Sequence, residues 1–124
     1  MDKIGILCVS HSHDLALGLQ ALIQQVTKDL PLAFVGGIEE NEIGTSFDTI
    51  NQAIEELAAD RILAFFDLGS ARMNLELASD FSEKEILIQP VAFVEGTYAA
   101  AALLQAGATE EEILKQLLEL EIRK

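Results

Sequence analysis

Two residues of types suited to nucleophilic chemistry, His11 and Asp67, each stand at the end of a short apolar run of the sequence. Imidazole is a good nucleophile near neutral pH because its unperturbed pKa is about 6.5. A carboxylate that accepts a hydrogen bond from one ring nitrogen fixes the tautomer and leaves a lone pair on the other nitrogen. No serine in a nucleophile context follows, so His11 is itself the candidate nucleophile and Asp67 the orienting group. From spacing alone, a turn histidine capped by Asp67 without any chemistry is equally compatible.

Several residues near these two positions are suited to binding an anion. Helices predicted to begin after Ser12 and after Ser70 would point free backbone N–H groups toward the same place. The pair Gly36-Gly37 could let the backbone approach a ligand closely. Thr45 and Ser46 open another predicted helix and carry hydroxyl groups. Helix capping by these hydroxyl residues, and turn geometry at the glycines, are the ordinary alternatives.

Arg72 is one of only eight basic residues and follows the Asp67 turn closely. Its guanidinium could pair with a phosphoryl group, or with Glu76 at helical spacing. A zinc site is unlikely at the segment 11–14, since the chain has only two histidines and its lone cysteine, Cys8, falls inside an apolar run. We expect Cys8 to be buried and His13 to be exposed to solvent.

Apolar runs without polar alternation alternate with helical patterns, which indicates strands covered on both faces. The predicted strands are 3–9, 32–35, 62–66 and 86–88, with a short edge segment at 91–94, and the predicted helices are 13–28, from Phe47 to Leu57, 71–81, 96–107 and a last one after Thr109. This alternation predicts an α/β fold: a small doubly wound, mainly parallel sheet in the order 2-1-3-4 with helices on both faces. The crevice at the carboxyl ends of strands one and three would then hold His11 and Asp67 together.

Length and composition predict the number of domains and disfavour some classes of binding partner. The 124 residues predict one domain, 1–124, and half of them are hydrophobic. Eight basic and 21 acidic side chains leave a net charge of −13, which disfavours nucleic acid and anionic membrane surfaces as partners. No signal peptide or membrane-spanning stretch is evident, so we expect a cytoplasmic protein.

Five short motifs occur in order along the chain: 9–12 (VSHS), 36–37 (GG), 44–46 (GTS), 67–71 (DLGSA) and 94–96 (VEG). Together they resemble the phosphotransferase subunits of bacterial dihydroxyacetone kinase, a branch of the mannose-type enzyme IIA family of the phosphoenolpyruvate-dependent phosphotransferase system. The resemblance covers essentially the whole chain. It implies that His11 becomes a phosphohistidine, that Asp67 orients its ring, and that Gly37, Thr45, Ser46, Gly69 and Ser70 are candidates for cradling the phosphoryl group.

The resemblance also implies partners. The donor would be the phosphocarrier protein HPr, and the acceptor would be ADP on the nucleotide-binding kinase subunit (DhaL type), which phosphorylates dihydroxyacetone. It implies a homodimer, and we expect neither a cofactor nor a metal. Two alternatives stay open: an enzyme IIA that serves sugar uptake, and a non-enzymatic regulatory module on the same fold.

Overall fold

The computed structural model describes residues 3–124 and contains a four-stranded parallel sheet in the order β2-β1-β3-β4. The strands are β1 (Ile4–Ser10), β2 (Leu32–Gly36), β3 (Arg61–Phe66) and β4 (Glu85–Gln89), and the α-helices are α1 (His13–Gln24), α2 (Phe47–Glu56), α3 (Ala71–Phe81), α4 (Phe93–Gln105) and α5 (Glu110–Leu117). Short 3₁₀ turns lie at Glu39–Asn41 and Leu118–Leu120. The predicted strand order is confirmed.

Helices cover both faces of the sheet, and successive residues of its central strands point to opposite faces and so into two different cores. Leu7 and Val9 of β1 belong to a core with α2 and α3, whereas Ile6 and Cys8 belong to a second core with α1, α4 and α5. Cys8 is fully buried, as predicted. The doubly wound α/β architecture is therefore confirmed. Within the described residues, no helix is both long and apolar enough to cross a membrane.

Helix α1 differs from its prediction in both length and orientation. The apolar spacing of the sequence predicts that Leu15 and Leu22 face the core together with Leu19 and Ile23, but Leu15 and Leu22 are each 43% exposed, and Ala16 is buried instead. The cause is a close approach to β2, since a Cβ atom on Gly36 would lie 2.9 Å from the Ala16 Cβ. The helix ends at Gln24 rather than at residue 28, and the Thr27 hydroxyl donates to the Ile23 carbonyl at this end.

Only the first half of the predicted edge segment 91–94 is extended, and its last two residues are helical. Val91 makes one antiparallel bridge with Glu121, and α4 already begins at Phe93. Gly96 was expected near the start of this helix but lies inside it, where a Cβ would come within 2.4 Å of the Val91 side chain. The helix can begin earlier because that glycine lets it pack directly onto Val91.

Candidate active site at the carboxyl ends of the first and third strands

The site forms where β1 and β3 end side by side. Val9 and Phe66 are register partners, and the Asp67 N–H donates to the Val9 carbonyl at 3.1 Å. His11 and Asp67 therefore follow the ends of adjacent strands and lie side by side. His11 Nδ1 is 2.8 Å from Asp67 Oδ1. The two side chains are 17% and 11% exposed, so the ring is reachable from solvent while its carboxylate partner is mostly covered.

Four hydrogen bonds hold the Asp67 carboxylate. Besides the His11 ring, the donors are the His11 N–H (2.8 Å), the Ser10 hydroxyl (2.8 Å) and the Leu68 N–H (2.7 Å). Burial by itself would raise the pKa of Asp67, but the hydrogen bonds from His11, Ser10 and Leu68 outweigh it and hold that pKa below its usual value. Asp67 is thus a fixed negative charge that acts only as an acceptor.

This carboxylate determines the state of the imidazole. Since Asp67 can only accept, Nδ1 must carry the proton that it donates, and the neutral ring has its lone pair on Nε2. The Ser70 hydroxyl lies 2.7 Å from Nε2 and, in this tautomer, donates to it. Nε2 is therefore the ring atom that could act as a nucleophile, and it faces the Ser70 hydroxyl. Ser70 occupies the N-cap position of α3 but caps no helix N–H with its side chain.

Ser10 is a member of the site that the sequence analysis missed. Its side chain is 1% exposed, and its hydroxyl accepts from the Ser12 N–H (3.0 Å) while donating to Asp67. Ser12 in turn caps α1, as predicted, by accepting from the Leu15 N–H. A buried hydroxyl that closes an otherwise apolar strand was the available sequence signal, because such a group requires a polar partner.

The loop between β2 and α2 lies against the backbone of the histidine. The Gly44 N–H donates to the His11 carbonyl at 2.8 Å, and the Gly37 N–H donates to the Ser10 carbonyl at 3.3 Å. Gly37 has a φ of +75°, which favours glycine, and a Cβ there would meet the Glu42 carbonyl at 3.0 Å. In this structure the Gly37 N–H therefore supports the turn.

The two predicted hydroxyl residues at the start of α2 lie beside the end of β1. Ser46 caps α2 by accepting from the Thr49 N–H, and Thr45 accepts from the Asn74 side-chain amide at 2.8 Å. One small crevice brings both of these hydroxyl residues together with Ser10 and Gly37. Both α2 hydroxyls act as acceptors in these bonds, so each keeps its own proton for a further acceptor. Asn74 was also missed, since its contact with Thr45 joins residues 29 positions apart.

Gly69 and Arg72 lie to one side of the histidine. A Cβ on Gly69 would come 2.6 Å from the carbonyl carbon of Lys124, so this glycine allows the segment 121–124 to pack closely. Arg72 Nε lies 3.9 Å from Glu76 Oε2, the helical pairing considered from the sequence. Arg72 also lines a recess with Pro90 and residues 121–124.

His13 is half-buried rather than exposed as expected, because the first turn of α1 packs beside Gly37. Among residues 3–124, no group of three or more His, Cys, Asp or Glu side chains is arranged to hold a metal ion. The site thus combines one imidazole, a carboxylate hydrogen-bonded to it and nearby hydroxyl groups.

Comparison with known proteins decides the family. Residues 5–114 match the family model described as the fructose IIA component of the phosphotransferase system, the mannose-type enzyme IIA family. The chain belongs to this family.

Two enzyme IIA relatives are similar over almost their whole length. The chain is 54% identical to the phosphotransferase subunit of the phosphotransferase-system-dependent dihydroxyacetone kinase of Lactococcus lactis, covering 97% of this chain and 98% of that protein. It is 43% identical to a phosphoryl donor subunit of dihydroxyacetone kinase of Listeria innocua, covering 96% of each. A solved structure of a protein of unknown function superposes with a TM-score of 0.85 at 28% identity, over 99% of this chain and 98% of that one.

Proposed function

We propose that this enzyme IIA protein is the phosphoryl donor subunit of a phosphoenolpyruvate-dependent dihydroxyacetone kinase and works as a phosphohistidine relay. His11 accepts a phosphoryl group from phospho-HPr and passes it to ADP on the nucleotide-binding kinase subunit. The observation that carries this proposal is the pairing of Nδ1 with Asp67, which leaves the lone pair of the partly exposed ring on Nε2, beside the Ser70 hydroxyl. The similarity to two dihydroxyacetone kinase subunits supports the choice of acceptor.

In the first step, the Nε2 lone pair of His11 attacks the phosphorus atom of the donor, and the Nε2–P bond forms as the bond to the donor's histidine breaks. The ring gains positive charge as the bond forms, and the Asp67 carboxylate stabilises that charge through the Nδ1 proton. In the second step, a terminal phosphate oxygen of ADP attacks the same phosphorus, the Nε2–P bond breaks, and its electron pair returns to the ring.

The hydroxyl groups around the ring would bind the phosphoryl oxygens. Before phosphorylation, the Ser70 hydroxyl donates to Nε2, and this hydrogen bond must break before the Nε2 lone pair can attack. The hydroxyl can then donate its hydrogen bond to a phosphoryl oxygen. Thr45 and Ser46 hold protons that their present contacts leave free. Gly37 and Gly69 contribute indirectly, because the close packing that they permit holds the β2–α2 loop and the segment 121–124 in place beside the site. Phosphoryl transfer depends mainly on such positioning and electrostatics.

Two further parts of the proposal concern the assembly and its place. We infer a homodimer in the cytoplasm, consistent with the family resemblance. Analytical ultracentrifugation at micromolar concentration tests the first point, and a purely monomeric protein would contradict it. The second candidate is an enzyme IIA that serves sugar uptake, because the description of the matching family model names a fructose component.

The decisive experiment incubates the protein with phosphoenolpyruvate, enzyme I and HPr and detects an acid-labile adduct by ³¹P NMR. We expect the adduct on the wild type and on His13→Ala, and none on His11→Ala. An undiminished adduct on His11→Ala, with its fold verified by circular dichroism, contradicts the relay. ADP-loaded kinase subunit should then discharge the adduct, whereas discharge only by a sugar-transporter domain would favour the second candidate.

A further inference from the structure

Lys124 lies beneath the turn that carries Asp67, although nothing in its sequence context marks it for the site. Its Nζ atom donates to the carbonyls of Phe66 (2.5 Å) and Val91 (2.6 Å). The same ammonium lies 4.3 Å from the centroid of the Phe66 ring, within range of a cation–π contact. Phe66 is the last residue of β3 and directly precedes Asp67, so Lys124 binds the backbone from which the orienting carboxylate projects.

A short antiparallel pairing brings Lys124 to this position. The Ala92 N–H donates to the Leu120 carbonyl at 2.9 Å, and the Ile122 N–H donates to the Pro90 carbonyl at 3.1 Å. The chain then continues across Gly69, where the lack of a side chain lets the Lys124 backbone approach. Two independent features therefore place Lys124: the pairing of residues 120–122 and the glycine in the Asp67–Ser70 turn.

Charge also connects Lys124 to the site. Burial lowers the pKa of the Lys124 ammonium, and the negative charge of Asp67 acts in the opposite direction, with burial the larger effect. In a chain of net charge −13 with only eight basic residues, one cation is half-buried within electrostatic reach of the carboxylate that orients the nucleophile.

We propose that Lys124 is a positioning residue for phosphoryl transfer at His11: by binding the Phe66 and Val91 carbonyls, it holds the end of β3 so that Asp67 keeps the His11 ring in its Nδ1-protonated orientation. This inference rests on the relay function proposed above. Lys124 touches neither the ring nor, in our proposal, the phosphoryl group. Its effect is on the geometry of Asp67, because the ammonium ties together two carbonyls, 25 positions apart in the chain, one of which belongs to the residue directly before Asp67.

The test replaces Lys124 by methionine, which keeps a long unbranched side chain but removes the charge and the donors. Lys115→Met is the matched control, because Lys115 is exposed on α5 and its loss changes the net charge equally. Two quantities are measured: the His11 tautomer, from ring ¹⁵N chemical shifts of the unphosphorylated protein, and the rate of phosphorylation by phospho-HPr.

We expect Lys124→Met to lose the single Nδ1–H tautomer and to be phosphorylated about tenfold more slowly, a loss typical of removing a residue that orients a reacting group. Lys115→Met should match the wild type in both measurements. Lys124→Arg, which keeps the charge and the donors, should recover part of both. A Lys124→Met protein with the wild-type tautomer, or with the wild-type rate, overturns the inference and leaves the relay intact.

Gly69→Ala provides a second perturbation that does not alter the lysine. The new Cβ would lie 2.6 Å from the Lys124 carbonyl carbon, so the segment must move away from the turn. We expect the same change of tautomer and a similar slowing. If Gly69→Ala shows neither, Lys124 does not position Asp67. Absence of any adduct on the wild type would instead refute the relay function, while the tautomer measurement would still report on the placement of Asp67.

Discussion

His11 Nδ1 and Asp67 Oδ1 lie 2.8 Å apart, although 56 residues separate them in the chain. The carboxylate accepts from three other donors, and because it is ionised it has no proton to donate, so Nδ1 must be the donor in this contact. This single contact assigns the proton to Nδ1 and the free lone pair to Nε2.

Asp67→Asn should slow phosphoryl transfer by roughly 100-fold or more. The amide of asparagine can donate to Nδ1, which would place the ring proton on Nε2 and remove the nucleophilic lone pair; the corresponding change in a hydrolase triad has such an effect. Single-turnover phosphorylation by phospho-HPr measures the loss. Asp80→Asn on α3 is a suitable control with the same change of charge, and equal rates in the two variants would contradict the orienting role.

Ser70→Ala should slow transfer about tenfold while leaving the fold unchanged. The Ser70 hydroxyl is 2.7 Å from Nε2 and makes no helix-capping bond, so its loss removes a donor beside the phosphorus without uncapping α3. Rapid-quench kinetics measure the rate, and thermal unfolding checks the fold. Faster transfer in Ser70→Ala would mean that the hydroxyl only blocks the lone pair.

The stabilising effect of Asp67 should disappear in acid. Hydrogen bonds hold the Asp67 pKa in the folded protein below its usual value, so the carboxylate favours folding above the unfolded pKa of about 3.9 and loses that effect as pH falls through the folded pKa. The difference in free energy of unfolding between wild type and Asp67→Asn should be constant above about pH 5 and shrink below about pH 4. Urea denaturation over this range measures it. A difference that grows in acid would reverse the sign of the argument.

Two glycines near α1 should respond oppositely to alanine. A Cβ on Gly36 would lie 2.3 Å from the Ser12 carbonyl, so Gly36→Ala should lower the free energy of unfolding by about 1–3 kcal/mol through overpacking. Gly18 is in the exposed interior of α1 with nothing within 4 Å of its Cβ position, so Gly18→Ala should raise it by about 0.5–1 kcal/mol. Chemical denaturation of both variants measures the two changes. Equal effects would show that close packing at Gly36 is not the cause.

The strand order and the meeting of His11 with Asp67 could be predicted from sequence because apolar runs, helix caps and parallel topology determine which strand ends become neighbours. The start of the last helix could be predicted for a similar local reason, since Thr109 and Glu112 have the spacing of a capping box and form one. The orientation of α1 could not, since the close contact of Ala16 with Gly36 depends on how two elements pack in space. Asn74 and Lys124 were missed for a related reason: each acts through one contact with a residue distant in the chain, and no periodicity records such a contact.

The parallel sheet determines when the His11–Asp67 contact can form during folding. Neighbouring parallel strands cannot be joined by a tight hairpin. In the sequence, two α-helices and β2 therefore separate β1 from its partner β3. Contacts so distant in sequence form slowly during folding. Partially folded chains, including those still emerging from a ribosome before β3 is available, would present a histidine without its carboxylate. In the proposed relay, a chain would become competent for phosphoryl transfer only after β3 has paired with β1.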